Sequence, residues 1–342
     1  MNPASEQQEG ADSRERDVSD GYAQETTIEQ RALTREEATE LVRQRYPAHA
    51  DTAPCAACGS VRTAPFTWRR GFRIAECREC GFLWVDPMPR AEDMWVFYNR
   101  RRWQPYPPEV VRRKFRPELQ VVLSCVPSGS WVVDVGCSHG QFASLLRARG
   151  YQVVGVDIDS EALAYASRQY GLQVYQGDLS LLSFDRQFDA VTILSSLEHM
   201  VNPFEVVAAA ARMLRPGGAL IISTPRGDGL IPSMSRRLFL PALGVWEFLS
   251  PPSHLTYFTQ RSLAAMMRRA GFQHITFYDR ARDRDYKKRE LREALQDSQR
   301  SSSWVGTLYL QLRHLRFLAR CMRRGDMMIG VGRKPMGDGD LN

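Results

Sequence analysis

Four cysteines carry the most specific chemistry in the chain. Cys55, Cys58, Cys77 and Cys80 read CxxC, then eighteen residues, then CxxC. Two close pairs at that separation suit a tetrahedral thiolate site. Gly59 and Gly81 follow the pairs, where a backbone without Cβ turns tightly and can aim amides at the sulfurs. Four thiolates leave no position for water, so the expected ion is a structural zinc, with iron as the alternative in the same cage. Within this module Arg62, Arg69, Arg70, Arg73 and Arg78 interleave with Phe66, Trp68 and Phe72. Two uses stay open for it, reading RNA or shaping a substrate entrance.

The second constellation is Asp134-Val135-Gly136-Cys137-Ser138-His139-Gly140, at the end of the apolar run WVVDV and directly before a helical pattern. Glycines there let the backbone pass close to a ligand, and the helix N-terminus offers free amides. The dinucleotide fingerprint GxGxxG is not met, because only Gly136 and Gly140 are glycine. Asp157 ends the next apolar run, at the distance where a carboxylate accepts both hydroxyls of a ribose, and Asp178 follows the third run, placed to meet an adenine ring. The same residues spell GxSxG, the nucleophile elbow of the α/β-hydrolases. A hydrolase elbow follows several strands and an oxyanion loop, whereas here a cysteine module precedes and the acidic ribose position follows, so the cofactor reading is preferred.

The elements that position these residues are legible from Asp134 onward. Short β-branched runs alternate with helical stretches: WVVDV, FASLLRARG, VVGVD, SEALAYASRQYG, LQVYQ, DAVTIL, PFEVVAAAARML and GALIIST. That alternation predicts an α/β, doubly wound sheet with helices on both faces. A helix in RSLAAMMRRAGF and strands in HITFYD and MMIGVGRKP continue it, while residues 225–258, with Pro232, Pro241, Pro251 and Pro252, read as an irregular acceptor lid.

In order, DVGCSHG, VVGVDID, QGDLS, FDAVTILSSLEHMVNP and LRPGGALIISTP resemble the successive motifs of the class I S-adenosylmethionine (SAM)-dependent methyltransferases, with their seven-stranded Rossmann-like sheet. The resemblance implies SAM as cofactor. By it, Asp134, Gly136, Ser138 and Gly140 shape the methionine pocket, Asp157 binds the ribose, Asp178 and Leu179 bind the adenine, and Ser195 borders the cofactor. Ser138 departs from the commoner glycine and narrows the loop. Adding ECRECGFLWVDPMPRAEDMWVFYN and SHLTYFTQRSLAAMMRRAGF, the chain is similar to bacterial methyltransferases with an N-terminal zinc-binding region, many of sugar or cell-surface polysaccharide pathways. That implies a hydroxyl of a sugar, glycan or related small metabolite as acceptor, with a zinc-ribbon RNA methyltransferase as the alternative.

Glu198 and His199 fall just after the fourth run, at the carboxyl edge where open α/β sheets bind ligands. Methyl transfer from a sulfonium is an in-line displacement, and a base is needed only if the acceptor must lose a proton. His199 is the expected base if so, with a turn cap as the alternative role, and His254 in PPSHLTYFT is the second catalytic candidate. Tyr98, Trp103 and Tyr106 lie in a segment that would cover the cofactor.

The expected organisation is an N-terminal tail over 1–50, disordered or partly helical near Thr34 to Val42, then a zinc module over 51–90, a linker and cofactor cap over 91–128, the catalytic domain over 129–335 and a short tail over 336–342. With 342 residues, 43% hydrophobic, one to three domains are accommodated. No apolar run approaches a membrane span and the first residues lack a signal-like pattern, so a cytoplasmic location is expected, where seven cysteines stay reduced and favour metal over disulfides. A net charge of +7 selects no partner by itself. Arg313, Arg316, Arg320 and Arg323 recur at helical spacing, so the segment near 304–324 reads as a basic amphipathic helix that could touch anionic lipid or a phosphorylated carrier. The sequence sets no oligomeric state.

Overall fold

The computed structural model describes residues 40, 44–46, 52–98, 104–244, 246–280 and 315–336. Most of the N-terminal helix expected near residues 34–42 and most of the basic helix near 304–324 lie outside these residues, as does Trp103.

The larger sheet has seven strands: β4 (Trp131–Val135), β5 (Gln152–Asp157), β6 (Gln173–Gln176), β7 (Phe188–Leu194), β8 (Leu214–Pro225), β10 (Gln273–Arg280) and β11 (Met327–Arg333), in the order β10-β11-β8-β7-β4-β5-β6. Only β11 runs against its neighbours. Helices α4 (Gln141–Arg147), α5 (Ser160–Tyr170) and α6 (Pro203–Met213) connect the strands. The expected doubly wound fold is thus present. Chain order reverses at β4, with β5 and β6 on one side and β7 and β8 on the other, and such a switch point opens a crevice at the carboxyl ends of the strands. Local chemistry sets the boundaries. The Asp159 carboxylate accepts from the amides of Glu161 and Ala162 to start α5, and Gly171, left-handed at φ 60°, ends it.

The cysteine module forms a second sheet of β1 (Thr63–Arg69), β2 (Phe72–Cys77) and β3 (Leu83–Val85), completed by β9 (Thr256–Tyr257) from beyond β8. A single hydrophobic cluster runs from Cys55, Cys80, Phe82 and Trp84 through Phe258 and Met266 to Val133 and Ile193 beneath the large sheet. The module is therefore not a separate ribbon. Phe82 and Phe258 are both fully buried with ring centroids 5.1 Å apart, and each side chain of that size stabilises by about 1.5–3 kcal/mol when removed from water.

The stretch 225–258 departs from the irregular reading. It holds α7 (Leu230–Leu243), which tolerates Pro232 in its first turn and carries Pro241 inside. Tertiary packing outweighs the proline signal: Trp246 is buried, its indole nitrogen donating to the Pro232 carbonyl and the Ser235 hydroxyl at 3.1 Å each. Trp246, Phe248 and Leu249 join Phe72, Ile74 and Leu83 of the module in one core. The segment is a packed wall, not a loose flap. The 91–128 region contains α1 (Ala91–Tyr98), α2 (Pro108–Lys114) and α3 (Arg116–Cys125). Among the described residues no helix is long and apolar enough to cross a membrane.

Candidate active site

The cofactor loop leaves β4 at the switch point. Gly136 has φ +68°, and a Cβ there would overlap the Ser196 side chain arriving from the end of β7, so only glycine fits between the two strands. Ser138 is held left-handed at φ +49°, a conformation rare without glycine, and this aims its amide at the Asp157 carboxylate, 2.8 Å away. The Asp159 amide binds the other oxygen at 3.0 Å. Burial raises the Asp157 pKa, and these amides oppose the rise. Beneath the loop Asp134 is buried with its carboxylate 2.7 Å from the Thr192 hydroxyl. Burial pushes it up to about 7, against that hydrogen bond and with the charge of Asp157 adding to the rise. Gly140 starts α4, and Gln141 exchanges two hydrogen bonds with the backbone of Tyr106, tying that segment to the start of the helix.

On the adenine side Asp178 accepts from the amide and hydroxyl of Ser180, both at 2.8 Å, and so caps the turn Leu179–Leu181. The Leu179 side chain is buried in the core, while Leu181 and Ile158 expose their apolar surfaces beside Asp178 and Asp157. Sequence reading missed both of these, since exposure is not visible in a periodicity. Ser195 is exposed at φ +52°, directly after β7.

The acceptor side brings together residues 55 positions apart. Glu198 and His199 sit in the turn Leu197–His199, and ligand atoms of Glu198, His199 and His254 all lie within 4.8 Å of one another. Glu198 is buried and accepts from the Thr224 hydroxyl at 3.0 Å. The imidazole rings of His199 and His254 meet edge to face at 4.8 Å between centroids. Nδ1 of His199 lies against the Ser253 carbonyl, so it carries the proton and leaves Nε2 as the acceptor nitrogen. Thr224 and Ser253 were not anticipated, although IIST and PPSH place hydroxyl and backbone groups at the right strand ends. His139 instead packs against Tyr165 at 5.2 Å, beside the cofactor loop.

The four cysteines converge as their spacing predicts. Their sulfurs lie within 4.8 Å of one another, with Cys55 to Cys80 and Cys58 to Cys77 at 3.6 Å. A tetrahedron with metal–sulfur bonds of about 2.3 Å has edges of roughly 3.8 Å, so the cage fits zinc. Both knuckles are closed by amides, Gly59 to the Cys55 carbonyl and Gly81 to that of Cys77.

Of the arginines of this module, Arg69 and Arg73 are buried, Arg70 is half-buried, and Arg62 and Arg78 are exposed. Arg73 pairs with Asp86 at 2.6 Å, Arg78 with Glu76 at 3.0 Å, and Arg62 with Glu79. Arg69 and Arg70 donate to the carbonyls of Leu249 and Pro251, in the segment leading to His254.

The open sheet with this strand order, a glycine-bounded loop on its first strand and a carboxylate ending the second has the Rossmann-like class I methyltransferase fold. Residues 109–276 match the family model described as a methyltransferase domain, and this region is a class I SAM-dependent methyltransferase domain. The chain is similar to the ubiquinone biosynthesis O-methyltransferase of Azoarcus sp. (strain BH72), 39% identical over 107 residues that cover 29% of this chain and 46% of that protein. It is also similar to the enzyme of that name from Xylella fastidiosa (strain 9a5c), 31% identical over 142 residues, 39% of this chain and 57% of the relative. The chain thus spans about half the length of these curated relatives. Their names point to ubiquinone biosynthesis and not to the sugar pathways that the sequence resemblance implied. Among solved structures, a SAM-dependent methyltransferase from Archaeoglobus fulgidus aligns over 70% of this chain and 99% of its own, with 19% identity and a TM-score of 0.44.

Proposed function

We propose that the chain transfers the methyl group of SAM to a hydroxyl of a small metabolite, with Cys55, Cys58, Cys77 and Cys80 holding one structural zinc ion. The observation that carries the acceptor class is the tautomer of His199. With Nδ1 committed to the Ser253 carbonyl, Nε2 is left as the basic nitrogen of a histidine at the carboxyl edge, and a hydroxyl acceptor needs a base where a neutral amine does not. Buried Glu198 beside it stabilises the imidazolium that forms.

SAM, when bound, supplies a methyl group activated on a sulfonium. The chain's own residues would hold it: Asp157 on the ribose hydroxyls, Asp178 and the amide of Leu179 at the adenine edge, Ile158 and Leu181 on its faces, and the Gly136–Gly140 backbone around the methionine portion. His199 takes the acceptor proton, His254 and the 246–258 wall hold the acceptor in line, and proximity supplies much of the remaining rate. The names of the relatives favour a small hydroxyl acceptor without restricting it to sugars. Arg69 and Arg73 are buried, and the exposed Arg62 and Arg78 are each paired with a carboxylate, which speaks against an unopposed basic surface for RNA there.

The test is methyl transfer from labelled SAM to separate panels of phenolic metabolites, nucleotide sugars and RNA, with the product mapped by mass spectrometry. Label in an ether of a phenol or sugar is the expected result. Label on a nitrogen or carbon, or in RNA alone, would overturn the reading.

A further inference from the structure

The backbone of Leu255 is shared between the cysteine module and the acceptor site. Its carbonyl accepts from the Val85 amide on β3 at 2.9 Å, and its amide donates to the Glu198 carbonyl at 2.8 Å. Two residues on, Tyr257 pairs with Leu83 in the small sheet. Its side chain is fully buried, and its hydroxyl turns back on the chain, donating to the His254 carbonyl at 2.9 Å and accepting from the Ser250 amide at 3.0 Å. Between those two points lies Ser253, whose carbonyl holds Nδ1 of His199. The phenol ring is wedged between Phe248 and His254, with centroids at 5.9 and 6.2 Å. One hydroxyl therefore clips both ends of the turn that presents His254 and fixes the proton of His199.

We infer that Tyr257 is a positioning residue for the acceptor site: anchored in the module's sheet, its hydroxyl holds the Ser250–His254 turn so that the Ser253 carbonyl stays on Nδ1 of His199 and keeps it in the Nδ1–H tautomer. The chemistry needs such a device. An imidazole with nothing on either nitrogen populates both tautomers, and only the Nδ1–H form makes Nε2 the basic nitrogen. A carbonyl selects the tautomer only while the turn carrying it stays in register with the ring. The cysteine knuckle between β2 and β3 holds β3, β3 holds Leu255 and Tyr257, and Tyr257 holds the turn. The acceptor geometry is thus transmitted from a sheet containing none of the reacting groups.

The inference rests on His199 acting as base, and the test separates the two. Full-length, metal-replete protein labelled with ¹⁵N-histidine is compared with Tyr257→Phe, which keeps the ring and removes the hydroxyl, both saturated with S-adenosylhomocysteine. The His199 signals are assigned by their loss in His199→Gln. In the unaltered protein His199 is expected as the Nδ1–H tautomer, and in Tyr257→Phe as a mixture of both. Thr256→Val, which alters the same strand without touching the clip, should leave the tautomer unchanged. With a hydroxyl acceptor in hand, Tyr257→Phe should lower kcat tenfold or more and shift the pH profile, with S-adenosylhomocysteine affinity within twofold. Rapid turnover by His199→Gln together with tautomer mixing in Tyr257→Phe would remove the base and leave the positioning intact. An unchanged His199 tautomer and pH profile in folded Tyr257→Phe would overturn it. Should that variant not fold, amide exchange in the unaltered protein decides: the Ser250 amide should be protected to the same degree as that of Leu255, and free exchange at Ser250 would refute the clip.

Discussion

The two edges of the crevice are built in different ways. Asp134, Gly136, Ser138, Asp157 and Asp178 of the cofactor edge come from one run of 45 residues, each at the end of a parallel strand or in the loop after it. The acceptor edge is assembled from three distant stretches, namely the knuckle hairpin through Val85, the turn Leu197–His199, and residues 249–259. Thr259 shows the same joining at a helix start: it forms a capping box with Ser262 for α8 (Gln260–Arg269) while its hydroxyl donates to the Cys80 carbonyl at 2.9 Å. At the far end of α8, Arg269 donates to the Ala56 carbonyl at 2.8 Å. The cofactor edge is therefore built locally, whereas the acceptor edge is held in part by the four-cysteine module.

Removing the metal should separate the edges most strongly. Structural zinc binding is worth about 10–16 kcal/mol in small zinc peptides, and losing even several kcal/mol here would lower the melting midpoint by roughly ten degrees or more. Cys80→Ser, or treatment with a strong chelator, should also abolish turnover. S-adenosylhomocysteine affinity, read by calorimetry below the new midpoint, should change less than about threefold, under 1 kcal/mol. Equal loss at both edges would show that the module supports the whole domain. A protein purified without added metal that contains neither zinc nor iron would end the metal reading.

His199→Ala should strike only the acceptor edge. A general base contributes about a hundredfold to ten-thousandfold, so kcat should fall by that factor, about 3–5 kcal/mol in barrier, with SAM binding unchanged. His254→Ala should instead mainly raise the acceptor KM, since it supports the wall. A His199→Ala enzyme with near-normal kcat, measured where methyl transfer is rate-limiting, would reduce His199 to a turn residue.

Asp134 tests the cofactor edge from below. Its folded pKa, about 7, stands above the ordinary carboxylate value, so the folded state holds a proton that the unfolded chain has released. Stability from this group is fully present at low pH and is lost as pH rises toward 7. Asp134→Asn, which can still accept from Thr192, should match the unaltered protein near pH 4 and exceed it in unfolding free energy above pH 7, by up to about 4 kcal/mol. Chemical denaturation at several pH values would show it, and a constant difference across the range would mean that Asp134 ionises at its ordinary pH.

The contrast also explains what was legible in the sequence. Parallel strands buried on both faces write themselves as runs such as VVGVD and ALIIST, and the loops after them carry their chemistry in register, so strand ends located Asp157 and His199 alike. CxxC spacing is equally local and located the cage. The junctions were not legible. β9 is two residues long, below any periodicity, and nothing in TY announces pairing with Leu83 and Trp84. Arg69 and Arg70 look like surface charge in the sequence, yet Arg69 is buried and Arg70 half-buried where the carbonyls of Leu249 and Pro251 meet them. Helix α7 defied its prolines because Pro232 falls in the first turn, where its missing amide costs nothing.

The smallest of these effects bears most directly on the cofactor edge. Asp157 already accepts from the amides of Ser138 and Asp159, so its carboxylate is oriented before any ligand arrives. Two hydroxyls of a ribose would add hydrogen bonds to a charged acceptor, worth about 1.5–3 kcal/mol, and Asp157→Ala should weaken SAM binding roughly tenfold or more. The pH dependence follows from burial. Because the Asp157 pKa is raised, the ionised form that receives both hydroxyls is lost as pH falls, and at a higher pH than for an exposed aspartate. Affinity should therefore decline on acidification in the unaltered protein and lose that decline in Asp157→Asn. His199→Ala should retain the full decline, because it stands on the other edge. Calorimetric titrations with S-adenosylhomocysteine at several pH values would read all three, and an Asp157→Ala protein that binds normally would take the ribose away from β5.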